Sequence, residues 1–249
     1  MAERTRRWTA KWLAAIAVGI CAIPASGQPP PVLGRGPGNF ALNSAVLNSA
    51  RHALDAQTAA ALAAIIAKPG PTPPAPPEVT LTYEPDARLS DWTRLSMIDA
   101  LSEGNATVRD QLERSFAKNA VLKSFDTYMS ARGYSSHNVA DDMAEMLLVS
   151  WQVVSNGKAT DSQVRGVHAQ TQAAFLNSPA LRTLTASDRQ LMAERFAYQV
   201  ILTSSAQEAF SRDGDHAHRR QLQESSEALL REQGVDAAQM HLTDQGFRK

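Results

Sequence analysis

Three residues with acid–base or metal-binding chemistry recur at four-residue intervals in the middle of the chain. They are His137, Asp141 and Glu145, and the spacing i, i+4, i+8 places them on one face of a helix. A histidine and a carboxylate one helical turn apart can share a divalent metal ion or a proton. Such residues also occur where a helix begins, because the helix dipole stabilises acidic side chains in the first turn. The sequence leaves both interpretations open and favours helix capping.

The densest cluster of metal-ligand types lies further along the chain. Asp213, Asp215, His216 and His218 supply two carboxylates and two imidazoles, which suit Zn²⁺ or Ni²⁺. Their spacing matches no established zinc signature, and residues at i and i+2 point to different sides of a helix. An Asp-Gly-Asp sequence is also common between helices, with Asp215 as the N-cap. These four residues are a candidate metal site, and the turn interpretation is the simpler one.

The remaining sequence specifies no reaction. His52, His168 and His241 are isolated, and we expect each to be exposed or to have its hydrogen bonds satisfied. The chain has no Gly-x-Ser-x-Gly sequence, no phosphate-binding glycine-rich loop and no His-Glu-x-x-His zinc sequence. Tyr134 follows a glycine in a predicted loop and is the best candidate for an exposed aromatic contact. We lean against an enzyme and expect no cofactor.

Composition and charge are those of an ordinary soluble protein. Of the 249 residues 43% are hydrophobic and 20% are charged, and the 25 basic and 25 acidic residues cancel. A chain without net charge or a basic cluster gives no reason to expect nucleic acid as a partner. Cys21 is the single cysteine, so the chain cannot form an internal disulfide.

The first 27 residues have the three parts of a secretory signal. A basic segment, 1–12, precedes an apolar run, 13–23, that is too short to span the roughly 30 Å hydrocarbon core of a bilayer. Ala25-Ser26-Gly27 then supplies small residues for cleavage. We expect the mature chain to lack a transmembrane segment and to be periplasmic or secreted. Arg6-Arg7 leaves the twin-arginine route open beside the general secretory route.

Residues 28–78 form a low-complexity arm before the main domain. Proline and glycine dominate 28–39, and 69–78 is a polyproline linker. Between them, 40–68 is rich in alanine and leucine, which favour helix. This Ala-rich segment is a candidate amphipathic docking element for a protein partner or for self-association.

Residues 79–249 are predicted to form an all-α domain, a compact bundle of about six to seven helices. The alternation in Val79–Tyr83 predicts a short extended segment against that domain. The tail, 235–249, is predicted to hold at most one short helical turn. Cap and stop residues predict helices near 90–103, 106–117, 119–131, 138–155, 161–177, 187–212 and 216–232.

Local cap chemistry predicts where several of these helices begin. Ser90 is the expected N-cap of the first helix and Asn105 that of the second. The fourth helix opens at Asn138 or His137, and the sixth at Ser187 or Asp188. The fourth and sixth helices carry apolar residues around most of their circumference, so we expect them to form the core.

Two sequence motifs link this domain to a known family. Asn138-Val139-Ala140-Asp141, followed by a Met/Leu-rich helix with Trp151 and closed by Asn156-Gly157, resembles an uncharacterised bacterial family, as does the closing Leu242-Thr243-Asp244-Gln245-Gly246-Phe247. The resemblance covers about 79–247 and implies an exported helical domain behind a low-complexity lead-in. It implies no activity. His137 departs from the pattern, which has asparagine or serine there.

Together these features predict an exported interaction or accessory protein of the bacterial cell envelope. The combination of a proline-rich spacer, an Ala-rich helix and no catalytic signature favours this function. A metal-dependent periplasmic hydrolase using 213–218 or 137–145 is one alternative. A carrier with a small-ligand pocket between helices is another.

Overall fold

A computed structural model of the chain describes residues 80–102 and 104–248, except for the side chains of residues 179 and 180. The predicted signal, 1–27, and the predicted arm with its docking element, 28–78, lie outside the described residues. The described part is helical, as predicted, with one small two-stranded sheet. None of its helices combines the length and hydrophobicity needed to cross a membrane.

The helices follow one another along the chain with short connections. In order they are α1 (Ala87–Ser102), α2 (Ala106–Ser115), α3 (Ala120–Ala131), α4 (Val139–Ser155), α5 (Asp161–Asn177), α6 (Pro179–Arg182), α7 (Ala186–Arg212) and α8 (His216–Glu232). A 3₁₀ turn, Ala117–Asn119, precedes α3, and the strands β1 (His241–Thr243) and β2 (Gly246–Arg248) follow α8. All of the long helices match predicted segments, whereas the four-residue α6 was not predicted.

Side-chain caps set the start of five helices, α2, α4, α5, α7 and α8. Asn105 accepts hydrogen bonds from the backbone at the start of α2, and Asn138 does the same for α4, as predicted. Thr160 and Thr185 cap α5 and α7, each in a capping box with the residue three positions later. These caps satisfy backbone N–H groups that have no partner within the helix.

Two predicted caps were wrong. Helix α1 begins three residues before Ser90, whose hydroxyl is buried and donates instead to Glu194 of α7. Helix α7 is capped by Thr185 rather than by Ser187 or Asp188. Asp188 is the third residue of that helix and accepts a hydrogen bond from the Thr185 N–H at 3.0 Å.

Helices α4 and α7 form the centre of the bundle, as predicted. Thirteen of the 17 residues of α4 are buried, including three consecutive turns from Val139 to Ser150. Helix α4 packs against α5, α7 and α8, and α7 also packs against α1 and α3. A helix buried on nearly every side has no solvent-facing stripe for its polar residues, so those residues need partners inside the protein.

The segment before α1 is extended and pairs with the residues that open α4. The Tyr83 N–H donates to the His137 carbonyl at 3.1 Å, and the Val139 N–H donates to the Leu81 carbonyl at 3.1 Å. The predicted extended segment therefore lies against the domain, as expected. This pairing fixes Tyr83 beside the α3–α4 loop.

The C-terminal tail folds as a turn followed by a β-hairpin. One helical turn is present, closed by the Met240 N–H donating to the Asp236 carbonyl at 2.8 Å. The hairpin β1–β2, with Leu242 opposite Phe247, was not predicted. It packs on α5.

Two residues of α5 receive this hairpin. Gly166 leaves no room for a side chain, because a Cβ atom there would lie 2.5 Å from the Asp244 carbonyl oxygen. The Gln170 side-chain amide accepts from the Phe247 N–H at 2.8 Å and donates to the Phe247 carbonyl at 3.1 Å. The side chain of Gln170 thus pairs with the backbone of β2 as a neighbouring strand would.

Candidate functional site

A histidine is held between two carboxylates inside the bundle. The Nδ1 atom of His168, on α5, lies 2.9 Å from Oδ1 of Asp141, and its Nε2 atom lies 3.1 Å from Oε1 of Glu145. All three side chains are buried, and His168 is only 3% exposed. Ionised carboxylates can only accept, so with both acids ionised the two ring nitrogens donate and the ring is the positively charged imidazolium.

Other polar side chains complete this network. The Tyr128 hydroxyl donates to Oε2 of Glu145 at 2.7 Å, and Arg132 forms an ion pair with Oε1 of Glu145 at 3.3 Å. The Gln172 amide donates to Oδ1 of Asp141 at 3.3 Å. Two anions therefore face two cations, which is how buried charge is tolerated in a protein interior.

Burial and hydrogen bonding act in opposite directions on His168. Burial lowers its pKa, but the hydrogen bonds to Asp141 and Glu145 and the charges of these groups raise it, and the net direction is upward. The ring of Tyr134 stacks on the imidazole with 3.5 Å between the centroids and 8° between the planes. Tyr134, the predicted exposed aromatic, is half-buried and covers the histidine.

This geometry limits the chemistry available to His168. A general base needs a ring nitrogen directed at a substrate, and both nitrogens here are engaged by carboxylates. One metal ion cannot bind both nitrogens, since they lie on opposite sides of the ring. The network therefore serves to hold α4, α5 and α3 together through buried charge.

Asp142, next to this network on α4, is fully buried, and neither of its carboxyl oxygens has a hydrogen-bond partner among the described residues. Burial, followed by the charges of Asp141 and Glu145, raises the pKa of Asp142 well above its ordinary value. The folded protein therefore holds this proton to a higher pH than the unfolded chain does.

A pocket of about 210 Å³ lies between α1, α3 and α7, beside the residues that precede α1 and α4. Its floor is buried and its rim is exposed, so it opens to solvent. The polar residues that line it are Tyr83, Ser90, Asn119, Lys123, Asp126, Ser136, His137 and Glu194. It is a concave site with convergent polar groups, the usual form of a small-ligand site.

Several hydrogen bonds fix the walls of the pocket. The Tyr83 hydroxyl donates to the Ser136 carbonyl at 3.0 Å, and the Ser136 hydroxyl donates to Asp126 at 2.6 Å. Burial, followed by the charges of Asp142, Glu194 and Asp126, raises the pKa of Tyr83, which keeps its proton.

Two buried acceptor oxygens of the pocket residues are left over. In Glu194, Oε1 accepts from Ser90 and from Gln190, whose amide is 2.9 Å away, whereas Oε2 has no partner among the described residues. Oδ1 of Asn119 likewise has no partner among them. Glu194 is only 4% exposed. Both oxygens are closed off from solvent, and buried acceptors without donors are energetically costly.

The predicted polar site is divided between these two places. Asp141 and Glu145 share one face of α4, as predicted, and meet at His168. His137 precedes the helix, is exposed, and lines the pocket beside Tyr83, with 5.5 Å between the two ring centroids. The helical spacing fails for His137 because the helix begins after Asn138.

Of the four residues of the predicted metal cluster, Asp213 and Asp215 lie in the turn between α7 and α8, whereas His216 and His218 are in the first turn of α8. Asp215 caps α8, with its carboxylate accepting from the His218 N–H at 3.1 Å and lying 2.5 Å from the His218 ring. Asp213 pairs with the neighbouring Arg212, and His216 is exposed. Over the described ranges, no three His, Cys, Asp or Glu side chains are arranged to hold a metal ion.

The sequence predicts that His168 is exposed or has its hydrogen bonds satisfied, and the structure shows the second. That it joins Asp141 and Glu145 was not predicted. The position of His168 on the buried stripe of α5 could have indicated this role. It lies between Val164 and Val167 on one side and Thr171 and Phe175 on the other. A histidine on an apolar stripe must find polar partners inside the protein. The two carboxylates of α4 were the available partners.

Comparison with known proteins identifies a family but no activity. No curated protein and no solved structure matches the chain. The model of a family of unknown function (DUF6683) matches residues 39–249, which include the whole described part and most of the predicted arm. The chain therefore belongs to this family of unknown function.

Proposed function

We propose that this chain is an exported binding protein of the bacterial cell envelope that takes a small ligand into the pocket between α1, α3 and α7. One observation carries the proposal: a pocket of about 210 Å³ opens to solvent where polar side chains from separate parts of the chain converge, among them Lys123, Asp126 and His137. A concave site with a few convergent polar groups is the usual form of a small-ligand site.

The export part of the proposal rests on the N-terminal sequence. A basic segment, an apolar run at 13–23 and the small residues Ala25-Ser26-Gly27 have the order of a secretory signal. The mature protein is then periplasmic or secreted. An accessory role in the envelope suits a protein that binds without transforming its ligand.

Binding is favoured over catalysis by the environment of the acid–base residues. His168 has both ring nitrogens engaged by carboxylates, so it has no free nitrogen for a substrate. The Ser90 hydroxyl in the pocket donates to Glu194, and the pocket histidine, His137, makes its ring contact with Tyr83. A serine nucleophile needs a base that can take its proton and be oriented by a third group.

The proposal is tested by native mass spectrometry of the mature protein, purified from its own periplasm, followed by a thermal-shift screen of small metabolites. We expect a ligand to copurify or to raise the melting temperature, and Ala197→Leu, which adds bulk to the pocket wall, to abolish this. Leu122→Trp fills the pocket from its half-buried rim. It replaces Ala197→Leu in the test if that variant does not fold.

The control variant for this screen is Ala169→Leu, which adds the same bulk at an exposed position of α5 outside the pocket. Ligand shifts that persist in both pocket variants would contradict the proposal. So would a chain that carries no ligand and responds to none of the screened metabolites.

A second candidate function, docking of a protein partner, is favoured by a different observation. Trp92 is 50% exposed and Leu95 is 41% exposed on α1, and the Arg195 guanidinium lies 5.8 Å from the Trp92 ring. Tryptophan and arginine are the residue types most enriched at interface hot spots. Sedimentation of the wild type and of Trp92→Ser at two concentrations tests self-association; identical monomeric sedimentation of both would argue against a second copy as the partner.

A further inference from the structure

We infer that the ligand of this pocket is a zwitterion, an α-amino acid with an apolar side chain, whose carboxylate is bound by Lys123 and whose ammonium group is bound by Asp126. The inference rests on the proposed function and names the ligand class. Lys123, Asp126 and His137 line the pocket and are exposed, so a ligand can reach them. Glu194 also lines the pocket, but its unpaired oxygen is closed off from solvent and is not available to a ligand.

The two reachable charges on α3 have opposite signs and do not pair with each other. Lys123 and Asp126 are three residues apart, which makes them neighbours on the surface of the helix. Even so, the ammonium group of Lys123 has no ion pair or hydrogen bond among the described residues, and neither does Oδ2 of Asp126. Two opposite charges that line one pocket without pairing can be bridged by a ligand that carries both complementary charges.

Asp126 is oriented to receive the ammonium group. The Ser136 hydroxyl donates to Oδ1 of Asp126 at 2.6 Å, which restricts the rotation of the carboxylate and leaves Oδ2 for a ligand. Less conformational freedom is then lost when the ligand binds. An ionised carboxylate can only accept, and its strongest hydrogen bonds are those from a charged donor.

Lys123 requires the opposite kind of group. A lysine ammonium group can only donate, so its partner in the ligand must be an acceptor, and a carboxylate is the strongest one. The exposed ring of His137, which contacts the Tyr83 ring, can add an N–H donor. An anionic ligand would be repelled by Asp126 and a cationic ligand by Lys123, whereas a zwitterion is attracted by both.

The remaining walls of the pocket favour an apolar side chain on the ligand. Pro85, Leu122, Phe125 and Ala197 line it. The volume of about 210 Å³ is several times the roughly 30 Å³ that one water occupies in the liquid, which gives room for a small aliphatic group. Burial of such a group against these walls removes apolar surface from water and strengthens binding.

Titration calorimetry of the mature full-length chain with three probes tests the inference. The probes are L-leucine, 4-methylpentanoate, which lacks the ammonium group, and 3-methylbutylamine, which lacks the carboxylate. All three carry the same aliphatic group. We expect L-leucine to bind, and each analogue to bind at least about tenfold more weakly. Binding of either analogue as tightly as L-leucine would overturn the inference.

Two variants assign each charge of the ligand to one side chain. Lys123→Met is expected to weaken L-leucine by about tenfold or more and to leave 3-methylbutylamine unweakened. Asp126→Asn should weaken L-leucine to a similar extent and leave 4-methylpentanoate unweakened, since asparagine can still accept from Ser136.

The matched controls are Lys158→Met and Asp110→Asn, which are exposed and lie outside the pocket. We expect neither to change the affinity for L-leucine. An unchanged affinity for L-leucine in both pocket variants would contradict the inference. Equal weakening of all three probes in each pocket variant would also contradict it, because charge recognition requires the losses to differ between probes.

The outcomes separate this inference from the proposed function. If L-leucine does not bind but the metabolite screen finds another ligand, whose binding Ala197→Leu abolishes, the zwitterion inference is wrong and the pocket remains a ligand site. If no probe binds and the metabolite screen is also negative, both are wrong.

Discussion

Tyr134 lies flat against the imidazole of His168, with the ring centroids 3.5 Å apart, and so covers the charged network of α4 and α5. His168 is buried while Tyr134 is only half-buried, which makes the tyrosine ring the layer between the imidazolium and water. The Tyr134 ring follows Gly133, a residue with φ of 79° that lets the chain turn back over the network.

Removing this cover should loosen the network. We expect Tyr134→Ala to lower the free energy of unfolding by about 1–2 kcal/mol, because the stacked ring contact is lost and water reaches the ion pairs. Tyr134→Phe keeps the ring and is the matched control, with a change of less than about 0.5 kcal/mol. Urea unfolding of both variants measures the difference, and an equal loss in both would mean that the hydroxyl, not the ring, matters.

Removing the buried cation should be more damaging than removing its cover. His168→Leu leaves Asp141 without its buried cation and Glu145 with only Arg132, and we expect a loss of about 3–5 kcal/mol. The double variant with Asp141→Leu should lose less than the sum of the two single losses by about 0.5–3 kcal/mol, since the second change removes an unpaired charge. His241→Leu, an exposed histidine, is the control. Additive losses in the double-mutant cycle would show that the residues do not act together.

The network also predicts a pH dependence. The pKa of His168 is raised in the folded state, so its stabilising contribution is complete below the unfolded-state pKa of about 6.5 and disappears as the pH rises through the folded-state pKa. The free energy of unfolding should therefore fall above about pH 6.5, and less steeply in His168→Leu. Urea titrations at several pH values provide the measurement, and parallel curves for the two proteins would rule out this role.

Asp142 should also make the free energy of unfolding fall as the pH rises, but at lower pH than His168 does. Its pKa is raised well above the unfolded value of about 3.9, so the folded protein keeps this proton after the unfolded chain has lost it. Stability then falls as the pH rises above about 4, with a slope of at most about 1.4 kcal/mol per pH unit from this group. Asp142→Asn should flatten that part of the curve, and the exposed control Asp110→Asn should not. A curve unchanged by Asp142→Asn would mean that this carboxyl is not the source.

The C-terminal hairpin depends on one position without a side chain. Gly166→Ala places a methyl group 2.5 Å from the backbone oxygen of Asp244, and a backbone atom cannot move away without moving the hairpin. We expect a loss of about 1–3 kcal/mol and faster amide hydrogen exchange at Leu242 and Phe247. Arg165→Ala, exposed on the same helix, is the control. Unchanged exchange in Gly166→Ala would mean that the contact relaxes elsewhere.

Helix limits were predictable because their causes are local. Asn105 and Asn138 bind backbone N–H groups only two or three residues later, so the sequence around each cap contains the whole interaction. Thr185 was missed in favour of Ser187 and Asp188 because several residue types that can cap a helix lie close together there. Ser90 has the right residue type for a cap, but a contact with Glu194, 104 residues away, decides its role.

The candidate sites were only half predictable for the same reason. The shared face of Asp141 and Glu145 follows from helical spacing, but their partner His168 lies 27 and 23 residues away on another helix. The pocket joins an extended segment, three helices distant in sequence and a loop, and no spacing along the chain brings Tyr83, Asn119 and Glu194 together. The hairpin depends on the contact of Gln170 with Phe247, 77 residues later. The sequence of the hairpin itself contains no local pattern that predicts this contact.

The contacts of Asp141 and Glu145 with the two ring nitrogens of His168 have an evolutionary consequence. Asp141 and Glu145 approach one imidazolium from opposite sides, so the loss of the histidine alone leaves Asp141 without a cation and Glu145 with only Arg132. A lineage that replaces His168 with an apolar residue must neutralise at least Asp141 to keep its stability. The three positions should therefore be inherited as a unit, and their joint replacement in related sequences would record the passage from a charged interior to an apolar one.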